Sequence, residues 1–206
     1  MKKKTKQLPR RYATAFRLGQ HIYYNAARLF CDACTLYRAS AFPSAYALAI
    51  LGYEEIGKLQ MFDHVVSEAV LNEGTYRLDE EWMEHLFSRT MFYSHRNKQD
   101  WGAYLGKING RKPRVEHLID SGALNRHKQE AIYVGFASGR TLLPERFGAS
   151  HAYRQLKYLF GAIERVADLP FCAVFENSTR STRHYAENTV NDLRREFSEL
   201  QHPKRR

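Results

Sequence analysis

The run YEEIGK at residues 53–58 places two carboxylates and an ammonium group inside a mostly apolar segment. At about 100° per residue, the apolar arc of a helix over residues 45–66 centres near Glu55. Glu54 and Lys58 fall on its flank, one turn apart, in the order that suits an ion pair. A carboxylate on a buried face must find a cation, a donor or a metal, or bind a proton. The pattern therefore predicts a buried, functional Glu55.

Polar residues follow the same pattern on the two neighbouring predicted helices. One helix carries two of them seven positions apart, and the other carries two that are three positions apart, so each pair shares a side. Packing these helices together predicts one cluster of Asn25, Asp32, Glu55, Lys58, His95 and Lys98. An acid, an imidazole and two cations suit acid–base chemistry or phosphate binding. The alternative is a core network that only fixes the register of the helices.

Arg89 and His95 form a second candidate pair with Arg-x5-His spacing on the third predicted helix. Six residues turn a helix by about 240°, so the two side chains do not share one stripe, but they can meet across a groove or a dimer interface. Metal-free RNA cleavage needs an acid or base that titrates near neutral pH and a cation on the phosphate. The pair meets both needs.

Other chemistries are disfavoured. A di-iron bundle carries Glu-x-x-His on two helices, whereas neither Glu54 nor Glu55 has His three positions on, and Lys58 puts a cation beside any ion. We therefore predict no metal and no cofactor. No Gly-rich phosphate loop or GxSxG motif is present. Cys31 and Cys34 have CxxC spacing without a second pair, which favours ordinary buried thiols.

The elements that must position these residues all follow a helical period, so the predicted fold class is all-α. Two long helices, about 12–39 and 43–72, are joined by a short loop and must pack antiparallel, with Pro43 in the first turn of the second. A third helix is predicted from Asp79 to about Leu105. Later predicted segments are a helix at 115–119, a short element at 128–134, an exposed loop at 135–144, and helices at 150–167 and 181–200. No period-2 strand is predicted.

Composition predicts one domain over residues 1–206, because 44% of the 206 residues are hydrophobic. The net charge of +10 is concentrated partly in basic tails, about 1–10 and 202–206, which favour nucleic acid or another polyanion or simply aid solubility. No apolar run is long enough to span a membrane, and no apolar signal core follows the N-terminal lysines. A cytoplasmic location is expected.

Several of these motifs, spread over roughly residues 20–145, resemble AbiV-type abortive infection proteins. Gly135 departs from that family, which tends to an acidic residue there. The matching blocks are Asn25-Ala26, Leu29, Asp32-Ala33 and Leu36; Pro43, Ala45, Leu48, Ala49 and Glu54 to Lys58; His95-x-x-Lys98; and Lys128 to Val134, including Tyr133, with Pro144 after it.

The resemblance implies a HEPN-like antiparallel helical bundle, often homodimeric, that acts in antiphage defence through arrested translation. Many HEPN proteins are metal-independent ribonucleases with an Arg-x4-6-His motif, which Arg89 and His95 fit. Two functions stay open. One is a ribonuclease with His95, Arg89, Lys98 and Glu55 as the catalytic set and Glu54, Lys58, Asn25 and Asp32 in support. The other is a non-catalytic toxin that binds a translation component or a phage-encoded activator.

Overall fold

The fold is all-α apart from one small hairpin, as the sequence predicts. The computed structural model describes residues 13–71, 81, 84, 94–108, 114–137, 140–168 and 180–200. Within those ranges the helices are α1 (Ala13–Arg38), α2 (Phe42–Leu71), α3 (His95–Ile108), α4 (Arg114–Asp120), α5 (Ala123–Ile132), α6 (Ala149–Asp168) and α7 (Arg180–Ser198). Strands β1 (Gly135–Ala137) and β2 (Arg140–Leu142) pair antiparallel, followed by a 3₁₀ turn at Pro144–Arg146. No helix in these ranges is both long and apolar enough to cross a membrane.

The turn between α1 and α2 reverses the chain within three residues. Ser40 adopts a left-handed backbone conformation with φ 61°. The amides of Ser40 and Ala41 donate back to the carbonyls of Tyr37 and Leu36, which caps the last turn of α1. Helix α2 then starts at Phe42. The predicted pair of long antiparallel helices is therefore confirmed.

Helix α2 is the central element of the bundle, since it packs against α1, α3, α5 and α6. Its buried residues are not confined to one stripe. Ala45, Tyr46 and Ala47 are consecutive and all buried, and so are Tyr53 and Glu54. A helix enclosed on several sides buries polar positions that a single apolar arc leaves outside.

Three segments differ from the sequence prediction. The short element predicted at 128–134 is helix α5, which begins five residues earlier, directly after the left-handed Gly122, and ends before the extended Tyr133. The third helix does not run unbroken through Ser94, because that residue is non-helical and α3 begins at His95. The earlier part of that predicted helix lies outside the described residues except for two isolated positions. The predicted loop at 135–144 contains the β1–β2 hairpin, whose three-residue strands are too short to show a period in sequence.

Helices α2 and α3 approach closely through two glycines. A Cβ atom at Gly57 would collide with the backbone carbonyl oxygen of Lys98. A Cβ at Gly102 would lie 2.8 Å from Cε1 of Tyr53. Because Gly57 stands one turn after Glu54 on α2, the contact brings the first turn of α3 directly onto the glutamate.

We expect Gly57→Ala to destabilise the fold by about 1–3 kcal/mol, because the rigid backbone of α3 must move away. Urea denaturation followed by circular dichroism measures this change. Gly148→Ala is the matched control, since a Cβ there meets nothing within 4 Å, and its free energy of unfolding should change by about 0.5 kcal/mol or less. Equal stability of the two variants would show that the close crossing is absent in solution.

Candidate functional site

The site is built on the buried carboxylate of Glu54. Gln99 Nε2 and Lys128 Nζ both donate to its Oε1 over 2.7 and 2.8 Å, and His95 Nδ1 lies 2.8 Å from its Oε2. The side chains of Glu54 and Lys128 are each only 3% exposed. Three helices, α2, α3 and α5, therefore meet at one carboxylate whose charge is compensated by a buried ammonium.

His95 is held in one orientation by this arrangement. Its Nδ1 also lies 3.0 Å from Lys128 Nζ, but an ammonium can only donate, and Nδ1 cannot accept from it while donating to Glu54. The short contact with a carboxylate oxygen requires a proton between the two atoms, so Nδ1–H donates to Glu54. The side chain is 43% exposed. In the neutral ring this tautomer leaves the lone pair on Nε2.

Positive charge surrounds this imidazole. Lys98 stands three residues after His95 on α3, on the same side of the helix. Burial lowers the pKa of Lys98; the carboxylate of Glu54 opposes this effect, and the ammonium groups of Lys58 and Lys128 add to it. The three lysines with Glu54 and Glu55 leave one net positive charge. Lys58 and Lys128 each pair with a glutamate, so a single excess charge remains to interact with an anion.

Glu55 is not the buried carboxylate, so that prediction is wrong. Its side chain is 17% exposed and accepts from Lys58 Nζ over 2.8 Å, whereas Glu54 is enclosed. The predicted Glu54–Lys58 pair is wrong for the same reason. Since α3 and α5 cover the flank of α2 that carries Glu54, the centre of the apolar arc does not mark the buried acid.

The predicted cluster is only partly assembled. Asn25 and Asp32 both accept from Arg28 on the partly exposed side of α1, at 2.9 and 2.7 Å, and neither is among the groups that bind Glu54. Arg89 lies outside the described residues. Tyr133 follows α5 and is 62% exposed. The structure thus brings His95 into contact with Glu54 and pairs Lys58 with Glu55, while Lys98 interacts with both glutamates electrostatically.

The HEPN AbiV family model, described as AbiV, matches residues 14–158. The chain belongs to the AbiV family. That matched range includes every residue that binds Glu54, and membership supports a HEPN-type function in abortive infection. Searches of the curated proteins and of the solved structures each found no match.

Gln99 is the member of this AbiV site that sequence reasoning missed. It is 1% exposed and donates to Glu54. Its signal in the sequence is the spacing of four from His95, which puts both on one face of α3. Lys128 was singled out as a motif residue, but its contact with a glutamate 74 positions away has no local signal.

Two further kinds of site, reactive cysteines and a metal centre, can be tested in the part of the AbiV-family chain that the structure describes. Burial raises the pKa of Cys34 to about 12 and also raises that of Cys31. Both stay protonated thiols at neutral pH. Among the described residues, no group of three or more His, Cys, Asp and Glu side chains is arranged to hold a metal ion.

We expect Glu54→Ala to lower the free energy of unfolding by about 3–5 kcal/mol, because it leaves the Lys128 ammonium buried without a counter-charge. Glu55→Ala, the neighbouring control, should cost about 1 kcal/mol or less. Lys128→Met should resemble Glu54→Ala, and Glu54→Gln with Lys128→Met should cost less than the two single changes together. Urea midpoints of these variants and of Glu54→Gln alone measure the changes. Equal midpoints for Glu54→Ala and Glu55→Ala would contradict the burial of Glu54.

The tautomer of His95 is directly measurable. In long-range ¹H–¹⁵N spectra recorded where the imidazole is neutral, we expect the proton on Nδ1 and a bare Nε2, because Glu54 accepts from Nδ1. Loss of the signal in His95→Gln assigns it, and Glu54→Ala should shift the population toward the Nε2–H form. A wild-type ring that carries its proton on Nε2 would overturn the orientation given above.

Proposed function

We propose that this AbiV-family protein is an abortive-infection effector that cleaves RNA without a metal, with His95 as the acid–base group. One observation supports this most directly. Glu54 binds Nδ1 of a half-exposed histidine, so the neutral ring carries its lone pair on Nε2. A carboxylate that fixes the tautomer of a histidine is a recurring device for general base catalysis.

The reaction assigns a role to each side chain. Nε2 of His95 removes the proton from a ribose 2′-hydroxyl, and the 2′-oxygen attacks the adjacent phosphorus. The bond from phosphorus to the 5′-oxygen breaks, and that oxygen takes up a proton from solvent, which gives a 2′,3′-cyclic phosphate and a 5′-hydroxyl. Lys98 stabilises the phosphate charge. Glu55 holds Lys58 near the same anion, and Arg89 is the candidate for a further phosphate contact.

The alternative is a non-catalytic toxin that binds a translation component or a phage-encoded activator. The observation that favours it is the closure of the network. Every oxygen of Glu54 is satisfied by groups of the protein itself, as in a structural core network that fixes helix register. Homodimer formation is compatible with both functions.

Cleavage of total RNA and tRNA by the purified protein in EDTA separates the two functions. His95→Ala should lower the rate by about 100- to 10,000-fold, the usual contribution of a general acid or base. His95→Gln should do the same while it keeps an amide that can donate to Glu54, so a folding defect cannot explain the loss. Lys98→Ala should also reduce cleavage, whereas Arg195→Ala, at an exposed position on α7, should not.

Growth arrest after expression gives the second readout. If the protein acts as a ribonuclease, the His95→Gln variant should no longer arrest growth, although it is folded and present at wild-type levels. A wild-type protein that is toxic but leaves RNA intact would contradict the ribonuclease and support the binding toxin. Full toxicity of folded His95→Gln would lead to the same conclusion.

A further inference from the structure

A second group of side chains lies where α5, the 3₁₀ turn and the start of α6 meet. We call it the arginine–tyrosine surface. It comprises Arg126, Arg146, His151, Arg154 and Tyr133. The two arginines nearest α5, Arg126 and Arg146, are 63% and 40% exposed in their side chains, and Arg154 and His151 are exposed as well. None of these residues takes part in the site around Glu54.

Buried aromatic side chains support this surface from below. Phe147 is buried and stacks on Tyr46 of α2, with ring centroids 4.8 Å apart. Arg146 lies over the ring of Phe147 at 4.8 Å, and His151 meets the same ring edge-on at 5.9 Å. The guanidinium of Arg146 and the imidazole of His151 are therefore presented from a rigid support.

The surface has a clear excess of positive charge. Glu130 on α5 pairs with Arg146 and lies 3.9 Å from Arg126, so one carboxylate faces two guanidinium groups. Arg154 adds a third. Burial lowers the pKa of His151, and the charges of Arg154 and Arg146 lower it further. Glu145, on the 3₁₀ turn itself, is exposed as well. Three guanidinium groups therefore stand with two carboxylates, which leaves one net positive charge to meet an anionic partner.

Tyr133 stands at the end of α5, three residues after the Glu130 that pairs with Arg146, and its side chain is 62% exposed. It ends α5, where its backbone N–H donates to the carbonyl of Gln129 over 2.9 Å, while its side chain stays largely outside the core. Ile132, Val134 and Leu143 are also about half exposed or more. Exposed aromatic rings on which bases stack, flanked by arginines that contact phosphates, are typical of proteins that bind single-stranded nucleic acid.

Helix α5 connects this surface to the site around Glu54. Lys128 reaches Glu54, and Tyr133 follows five residues later, about 7.5 Å further along the helix axis. Tyr46 and Glu54 are separated along α2 by about 12 Å in the same way. A strand of a few nucleotides covers such distances.

We propose that the arginine–tyrosine surface binds single-stranded RNA next to the site, with Tyr133 stacking on one base and Arg146 and Arg154 contacting phosphates. The choice of RNA as the polyanion rests on the proposed function. The choice of a nucleic acid over a protein partner rests on the excess of arginine charge beside α5 and on the exposed tyrosine that follows this helix.

Binding is measured by fluorescence anisotropy of a 5′-fluorescein-labelled 15-nucleotide RNA of mixed sequence, in EDTA, with the full-length His95→Gln protein. That background leaves the probe intact. Tyr133→Ser should raise Kd about 5- to 150-fold, the range for losing one stacked base, and Tyr133→Trp should restore it. Arg154→Ser should reduce the slope of log Kd against log salt by about 0.7, the value for one phosphate contact of a single strand. Arg195→Ser on α7, an exposed arginine outside the surface, should leave the slope unchanged.

A Kd that does not change in Tyr133→Ser would overturn the proposal. If Ile132→Ser and Val134→Ser then also shift the oligomeric state in sedimentation, the exposed residues form a protein interface instead. The binding assay is independent of cleavage. A wild-type protein that binds RNA through Tyr133 but does not cut it would contradict the proposed ribonuclease activity and would still support RNA binding at this surface.

Discussion

The packing of α3 and α5 against α2 depends on one buried group, the carboxylate of Glu54, which must be compensated where water does not reach it. An isolated buried carboxylate is too costly to persist, and three donors from two other helices remove that cost. This requirement fixes where α3 and α5 lie against α2. Gly57 makes the arrangement possible, because a side chain there would hold α3 away from the carboxylate. The EEIGK motif thus supplies both the buried acid, Glu54, and the glycine, Gly57, that lets α3 approach closely enough for its side chains to reach that acid.

Such a network contributes more to position than to net stability. A buried ion pair roughly breaks even against apolar residues of the same volume, although removal of one partner is strongly destabilising. The Glu54–Lys128 pair therefore penalises any packing of α5 that separates the two charges. The same penalty fixes the ring of His95, because its Nδ1 lies against both groups. Structural and catalytic interpretations of the cluster are in this sense compatible, since a precisely held imidazole is what general base catalysis requires.

Periodicity and turn chemistry are local, and they predicted the local features well. The extents of α1, α2, α6 and α7 and the antiparallel start followed from them, and the motif blocks identified the AbiV family. The wrong choice between Glu54 and Glu55 has a physical cause. A single-arc interpretation assumes one buried face, whereas α2 is enclosed by four helices. The non-helical Ser94 within the predicted third helix was also missed, because the spacing of apolar residues does not reveal where a helix is interrupted.

The partners of Glu54 were beyond sequence reasoning, because they depend on how distant segments meet. His127 and Lys128 show this most clearly. They are adjacent on α5, yet His127 Nδ1 lies 3.3 Å from the hydroxyl of Tyr46 while Lys128 enters the ion network. Adjacent helix positions point about 100° apart, so one short helix serves two places on α2 two turns apart. A movement of α5 that changes one contact must change the other. The site and the aromatic support of the arginine–tyrosine surface are therefore mechanically linked through a helix of ten residues.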